Sequence, residues 1–264
     1  MTDHHSADRR QVLGVGIDAL TLAQAVEVCA DAAVAGRRLE VGVVNAAKLV
    51  TMSKDPRLSD AVTGCDLVLA DGQAVVWASR LLRAPLPERV AGIDLFQRLL
   101  AVAEERGLTV YFLGARREAL DAMLATVAER HPRLRVAGAR DGYFTDEEQP
   151  RIADDIAASG AQLLFLGMTS PKKELFTAAY GERTGVRVVH GVGGSFDVLA
   201  GVTRRAPGLW QRLGLEWLYR VAQEPRRLGR RYLVTNVQFV LMTARAMLAR
   251  TAEPAQPPAP AGGN

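Results

Sequence analysis

The sequence predicts an α/β protein with a parallel sheet covered by helices on both faces. Three observations carry that expectation. Short apolar runs alternate with stretches of helix length and periodicity. The runs are rich in Val, Leu and Ile, as in strands buried on both faces. Several close on Gly, Asn or Asp, and ligands in such sheets bind at the carboxyl ends of the strands. In chain order, LEVGVVN (39–45) is a β-branched strand and 46–63 reads as one helix. CDLVLADG (65–72) is a buried strand running into a loop, and 92–107 is a helix stopped by Gly107. LTVYFLGA (108–115) is a strand entering a Gly turn, followed by a helix over 116–130. A strand begins at 134, a helix near 146–159 ends at Ser159-Gly160, and AQLLFLGM (161–168) is a strand. Pro171 to Tyr180 is a helix, and VRVVHGVGGSFD (186–197) is a strand into a Gly-rich loop.

The 264 residues (28.5 kDa) suit one large domain, or one domain with an appendage. With 48% hydrophobic and 23% charged residues, a wholly disordered or collagen-like chain is excluded. Cys29 and Cys65 sit in apolar stretches, which predicts buried thiols in a reducing compartment rather than a disulfide scaffold. No uninterrupted apolar run reaches 18 residues, and YLVTNVQFVLM (232–242) reads as too short to span a bilayer. The first ten residues lack an apolar signal segment, so the expectation is a protein kept in the cytoplasm.

Charge divides the chain. Residues 204–250 hold ten arginines against Glu216 and Glu224, an excess of eight positive charges, whereas residues 1–203 sum to −3. A basic block of this kind is a contact surface for phosphate, phospholipid headgroups or nucleic acid, or else a solvated helical face. The expected layout is a disordered 1–10, an α/β core over 11–203, a basic appendage over 204–250 and a disordered Pro/Ala/Gly-rich tail over 251–264.

The strand ends supply the candidate site. They carry Asn45, Asp71-Gly72, Gly114, Gly167 followed by Lys172 and Lys173, and Gly191 to Asp197 with Gly193 between them. Glycines there let a ligand approach the backbone, and helix N-termini offer free N–H groups to phosphate. Four such junctions point to a nucleotide or phosphate site. Asp71, at the mouth of a buried strand, reads as a general base or as the cap of the next helix. Asp197 carries the same two readings, and Arg89 is an anion clamp or a surface charge. Gly14-Val15-Gly16-Ile17-Asp18-Ala19 matches a dinucleotide fingerprint, but only a few residues precede it, so chance explains it better. Four histidines, two of them in the N-terminal stretch, argue against a zinc site, and no D-x-D triplet is present to hold a metal on a diphosphate. The expectation is no metal and no cofactor, with arginines, lysines or helix dipoles facing any leaving diphosphate.

Several stretches, in order, resemble the WecG/TagA/CpsF glycosyltransferase family (glycosyltransferase family 26). They are GIDALTLAQAV, VVNAAKLV, DPRLSDAVTGCDLVLADGQAVVWASRLL, PLPERVAGIDLF, YFLGA, LLFLGMTSPKKE, GVGGSFDVLAG and RRAPGLWQRLGLEWLYRVAQEPRRLGRRYL, covering roughly 12–240. The resemblance implies a Rossmann-like core and a C-terminal appendage completing the site at the inner face of the cell membrane. It implies inverting, metal-independent transfer of N-acetylmannosamine or a related hexose from a UDP-sugar to a polyprenyl-diphosphate-linked sugar, in cell-surface polysaccharide or teichoic acid synthesis. By position, Asp71 matches the family's base, Asn45 its asparagine, Arg89 an arginine near the diphosphate and Asp197 a nucleotide-side aspartate. Arg220, Arg227 and Arg230 match appendage arginines. The chain departs from the family pattern at Val43 (threonine), Ala47 (an acid) and Lys173 (glutamine), which leaves open a donor carrying a carboxylate, or plain glucose.

In the appendage, Trp210, Leu213, Leu215, Trp217, Leu218 and Tyr219 interleave with arginines. This suits either an interfacial helix on anionic lipid or a helix packed on the core. Competing functions are a nucleic-acid-binding protein, for which no recognised motif is present, and an NAD-linked protein, against which the failed fingerprint argues. The sequence leaves assembly into a homo-oligomer open.

Overall fold

The computed structural model describes residues 8–252 except 213 and 224, without the side chains of 212, 220, 226–228, 230, 231 and 250–252. The chain opens with a hairpin, β1 (Arg9–Val12) and β2 (Val15–Asp18), paired antiparallel. Its two-residue turn, Leu13-Gly14, has both φ angles positive, at 53° and 82°, as the tight primed hairpin turns require. The apparent dinucleotide fingerprint is therefore a hairpin. β1 also starts at Arg9, inside the stretch expected to be disordered. Arg9 pairs with Asp18 at 3.0 Å, and Asp18 Oδ2 accepts the Val68 N–H at 2.7 Å, which pins the hairpin beneath the sheet.

Helix α1 (Leu22–Val34) is capped by Thr21 and Gln24 in a reciprocal box. Strand β3 (Leu39–Val44) leads into α2 (Ala46–Met52) and α3 (Pro56–Thr63). The single helix expected over 46–63 is thus two. Pro56 disfavours helical geometry at the residue before it, and Asp55 instead caps α3 by accepting the Leu58 N–H at 3.2 Å. β4 (Leu67–Ala70), α4 (Gln73–Leu81) and α5 (Gly92–Arg106) follow, with Gly107 ending α5 in the left-handed conformation, as expected. Then come β5 (Thr109–Gly114), α6 (Arg117–Arg130), β6 (Arg135–Arg140), α7 (Gln149–Ser159), β7 (Leu163–Gly167), α8 (Lys172–Tyr180), β8 (Val188–Gly191) and α9 (Ser195–Leu199). The C-terminal part holds α10 (Gly208–Arg212), α11 (Glu216–Gln223) and α12 (Pro225–Ala252).

The main sheet has six parallel strands in the order β4-β3-β8-β7-β5-β6, so the chain is a Rossmann-like α/β protein. Alternation of side chains divides the core into two layers. Val41, Val43, Leu67, Leu69, Val110, Phe112 and Phe165 face α1, α5 and α6. Val44, Val68 and Ala70 face α2, α3, α4 and the hairpin, while Leu113, Leu164 and Leu166 face α7 and α8. Both cysteines are buried and free, and burial pushes each thiol up to about 12.

α12 corrects the expectation of a segment too short to span. Asn236, Gln238 and Arg245 interrupt its apolar run, yet the window Tyr232–Ala249 has mean hydropathy 1.2 over 18 residues, enough by length and composition to cross a bilayer. Its Phe239, Met242 and Ala246 pack on the cluster around α2, and Phe239 and Thr243 are buried. Leu233, Val237, Leu241 and Leu248 point outward and are exposed.

The strand order creates a switch point. β5 passes the chain outward to β6, whereas its neighbour β7 passes it the other way to β8. A crevice opens where neighbouring connections diverge like this, at the carboxyl ends of the strands. Gly114 and Gly167, the last residues of β5 and β7, are register partners there. A Cβ at Gly114 (φ 147°) would strike the Gly167 backbone, and one at Gly167 would strike the Phe196 ring. Packing at the crevice therefore requires both glycines.

Candidate functional site

Two cavities open along the carboxyl rim of the sheet. The first, about 530 Å³, lies between α4 and the C-terminal helices, over the ends of β3 and β4. The second lies at the switch point between Gly167 and Asp197.

Asp71 stands at the mouth of the first. Its N–H continues the ladder to Val44 O at 2.8 Å, which fixes its backbone at the strand end. Its Oδ1 accepts the Gly92 N–H, in the first turn of α5, at 2.9 Å. Its Oδ2 faces Asn45 Nδ2 at 3.5 Å. Both sequence readings of Asp71 thus meet in one side chain. One oxygen holds a helix start, that of α5 rather than of the adjacent α4, and the carboxylate also lines the cavity. Asn45 caps α2 through Oδ1, which accepts the Lys48 N–H at 3.0 Å, and this turns its amide group toward Asp71.

Arg89 lines the same cavity. It is paired with Glu216 of α11 and lies 3.9 Å from Asp94. Arg205 makes a fork with Asp94, at 2.6 and 2.8 Å, and approaches Glu216 at 3.5 Å. Four charged groups therefore join the start of α5 to the C-terminal helices. Neither Glu216, Asp94 nor Arg205 was singled out by the sequence, because their pairing is set only by the fold.

Behind the mouth lies a buried charge cluster. Lys48 and Lys173 both donate to Glu174 Oε1, at 2.7 and 2.6 Å, while Oε2 is buried without a partner among the described residues. Burial alone would raise the Glu174 carboxyl, but the two lysines bring it down to about 2. Lys173 moves to about 8, because burial and the neighbouring Lys48 outweigh its bond to Glu174. Of the three departures from the family pattern, Lys173 adds a positive charge in the buried cluster and Ala47 removes a negative one from the cavity wall. Val43 is buried in the core, and Ala47 lines the first cavity.

His190, on β8 beneath Asp71, is fully buried, and its Nε2 bonds Gly92 O at 3.0 Å. Burial pushes its pKa down to about 4 from 6.5. It stays neutral at pH 7, so Nε2 donates to the carbonyl. Above pH 6.5 both folded and unfolded forms are neutral. Between 6.5 and about 4 the unfolded chain binds the extra proton, so stability falls as pH drops through this window. The loss reaches about 3 kcal/mol at its lower end. Urea unfolding from pH 7 to 4 should show this slope, and His190→Gln should flatten it. An unchanged slope in the variant would remove His190 as its source.

The second cavity is lined by Gly167, Lys172, Arg116 and Asp197. Lys172 Nζ donates to the carbonyls of Gly142 and Phe144, at 3.0 and 3.1 Å, and sits 3.7 Å above the Phe144 ring centroid. It ties down the loop that walls this cavity. Asp197 is in the first turn of α9. Gly193 has φ 56°, and its N–H bonds Leu166 O at 3.2 Å, so its glycine serves the turn. The side chains of Arg220, Arg227 and Arg230, and all of Leu213, lie outside the described residues. Trp210 packs edge-on against Tyr219, with ring centroids 5.8 Å apart, while Trp217 and Leu218 are exposed.

A family model, the glycosyl transferase WecG/TagA/CpsF family, matches residues 10–253. The chain belongs to this family. It is therefore a glycosyltransferase of cell-surface polysaccharide synthesis, with a sugar donor and an acceptor as substrates. The structure brings Asp71, Asn45 and Arg89 of this glycosyltransferase to one cavity, and Gly167, Lys172 and Asp197 to the other. Lys48, Glu174, His190 and Trp77 complete the surroundings and had no sequence signal of their own.

Proposed function

We propose that this glycosyltransferase moves N-acetylmannosamine or a related hexose, with inversion, from a UDP-sugar to a polyprenyl-diphosphate-linked acceptor sugar. The observation that carries the proposal is the Asp71 carboxylate at the mouth of the first cavity, with Arg89 on the same wall. In this reading the donor nucleotide lies at the switch point beside Asp197, and its sugar points along the rim toward Asp71. Strand ends β4 and β7 are three spacings apart, roughly 14 Å, a span that suits an extended nucleoside diphosphate sugar. Asp71 takes the proton of the acceptor hydroxyl as its oxygen attacks the anomeric carbon. The bond to the UDP oxygen breaks, with positive charge developing on the ring. Arg89, released from Glu216, stabilises the negative charge of the diphosphate. UDP should raise the melting temperature, and NAD or duplex DNA should not. A panel of UDP-sugars with a polyprenyl-diphosphate acceptor should release UDP with at least one donor. Failure with every donor, together with no UDP stabilisation, would overturn the reading.

We place the enzyme peripherally on the inner face of the cell membrane. Support comes from the outward apolar residues of α12 together with exposed Trp217 and Leu218 of α11, set in an arginine-rich segment. In vesicle flotation the protein should be recovered better with anionic than with neutral liposomes. Equal recovery would exclude the electrostatic contribution.

A further inference from the structure

Arg89 and Glu216 are paired on the wall of the first cavity, and both line it. Their side chains are only 13% and 24% exposed, so neither group gives up its partner without cost. A diphosphate that takes Arg89 therefore leaves a largely buried carboxylate to be neutralised. A second acid competes for the same arginine, since Asp94 Oδ2 lies 3.9 Å from Arg89 Nη2. Arg205 touches both acids. Its Nη1 and Nη2 hold Asp94 in a fork at 2.6 and 2.8 Å. Its remaining donor, Nε, is buried and makes no hydrogen bond among the described residues. Buried donors are normally satisfied, so this N–H requires an explanation. Glu216 Oε1 lies 3.5 Å from it, beyond the roughly 2.8 Å of a charge-assisted hydrogen bond. The two oxygens of Glu216 are divided: Oε2 takes Arg89, and Oε1 is turned to Arg205.

We propose that Arg205 is a positioning residue, which takes over Glu216 when Arg89 turns from it to the diphosphate of a nucleotide sugar. Glu216 already presents a separate oxygen to each arginine, so the exchange needs an approach of only about 0.7 Å between Oε1 and Nε. A guanidinium suits this task because its rigid plane carries five N–H donors. The fork on Asp94 stays intact while Nε bonds Glu216. A lysine, with one nitrogen, cannot grip both oxygens of Asp94 and reach Glu216 as well. Keeping Asp94 in the fork also prevents it from following Arg89. The start of α5 and α11 thus stay joined throughout the exchange, and Trp217, next to Glu216, keeps its place on the cavity wall. This inference rests on the glycosyl-transfer reading for the diphosphate at Arg89, and it adds what becomes of the carboxylate that Arg89 leaves.

The test uses the full chain and compares UDP with uridine by titration calorimetry, because the two ligands differ only in the diphosphate. Wild type should bind UDP at least tenfold more tightly than uridine. Arg205→Lys should lower that preference at least fivefold, since Glu216 then keeps hold of Arg89. Uridine affinity should stay within twofold of wild type, which also shows that the variant is folded. Glu216→Gln removes the competing charge. Combined with R205K, it should return the preference to within twofold of that of E216Q alone, a rescue that a merely structural role for Arg205 does not produce. Arg205→Gln is the second variant. It frees Asp94 too, so the preference should fall further and E216Q should restore only part of it. A preference unaltered in both Arg205 variants, or a loss that E216Q does not reverse, would overturn the proposal, and UDP release from a nucleotide sugar would leave the transfer reading standing. Equal binding of UDP and uridine by wild type would remove both the exchange and the diphosphate role of Arg89. The expected pattern of affinities without UDP release from any donor would sink the transfer reading and leave the exchange of partners in place.

Discussion

Replacing Asp71 by Asn will lower the rate of sugar transfer by about 10²- to 10⁴-fold, the range expected for loss of a general base. The fold should survive. Asparagine retains an oxygen to accept the Gly92 N–H, so the start of α5 keeps its cap. Asp71→Ala loses the cap as well and should unfold about 1 kcal/mol more easily. The two variants thus separate chemistry from structure. Both should lose most of their turnover, but only the alanine should be measurably destabilised. UDP binding, read by thermal shift, should be nearly unchanged in D71N, because the proposed function puts the nucleotide at a different strand end. If D71N turns over within threefold of wild type, another group takes the proton.

The largest effect on stability is expected at Glu174. Its Oε1 takes both Lys48 and Lys173, and all three side chains are more than nine-tenths buried. Glu174→Ala strands two cations in the interior, and removing the partner of buried charges costs about 3–5 kcal/mol. Lys173→Gln should behave quite differently. It leaves Lys48 and Glu174 as a one-to-one pair, restores the residue of the family pattern and should change stability by no more than about 1 kcal/mol. Urea denaturation of the two variants side by side decides the matter. Equal losses would mean that Lys173 is as necessary as the carboxylate it shares. The cluster also predicts acid sensitivity. The Glu174 pKa is depressed from 4.5 to about 2, so its contribution is complete above pH 4.5 and disappears as pH falls through 2.

The parallel sheet was legible because its strands are short, apolar and separated by helix-length segments. Asp71 and Asn45 were legible because strand ends are where such sheets expose polar groups. The nature of their contacts was not. Gly92, which ties down Asp71, is 21 residues away, and Glu174, which holds Lys48, is 126 residues away. No local pattern encodes pairs that only the strand order brings together. The hairpin was missed because its strands are four residues each, and its turn glycine imitated another motif. The break at Asp55-Pro56 was there to be read, but the apolar periodicity on both sides hid it. For α12 the misreading came from counting uninterrupted apolar residues, where a helix averages its few polar ones over a longer span.

The clasp between Arg89 and Glu216 joins positions 127 residues apart, and that between Arg205 and Asp94 spans 111. During synthesis from the N-terminus these contacts form among the last. A ribosome that has released the whole sheet has still not released the helix that walls the mouth beside Asp71. Asp71 thus lacks the wall that α12 gives its cavity until translation is nearly over, so the complete cavity belongs to the finished polypeptide alone.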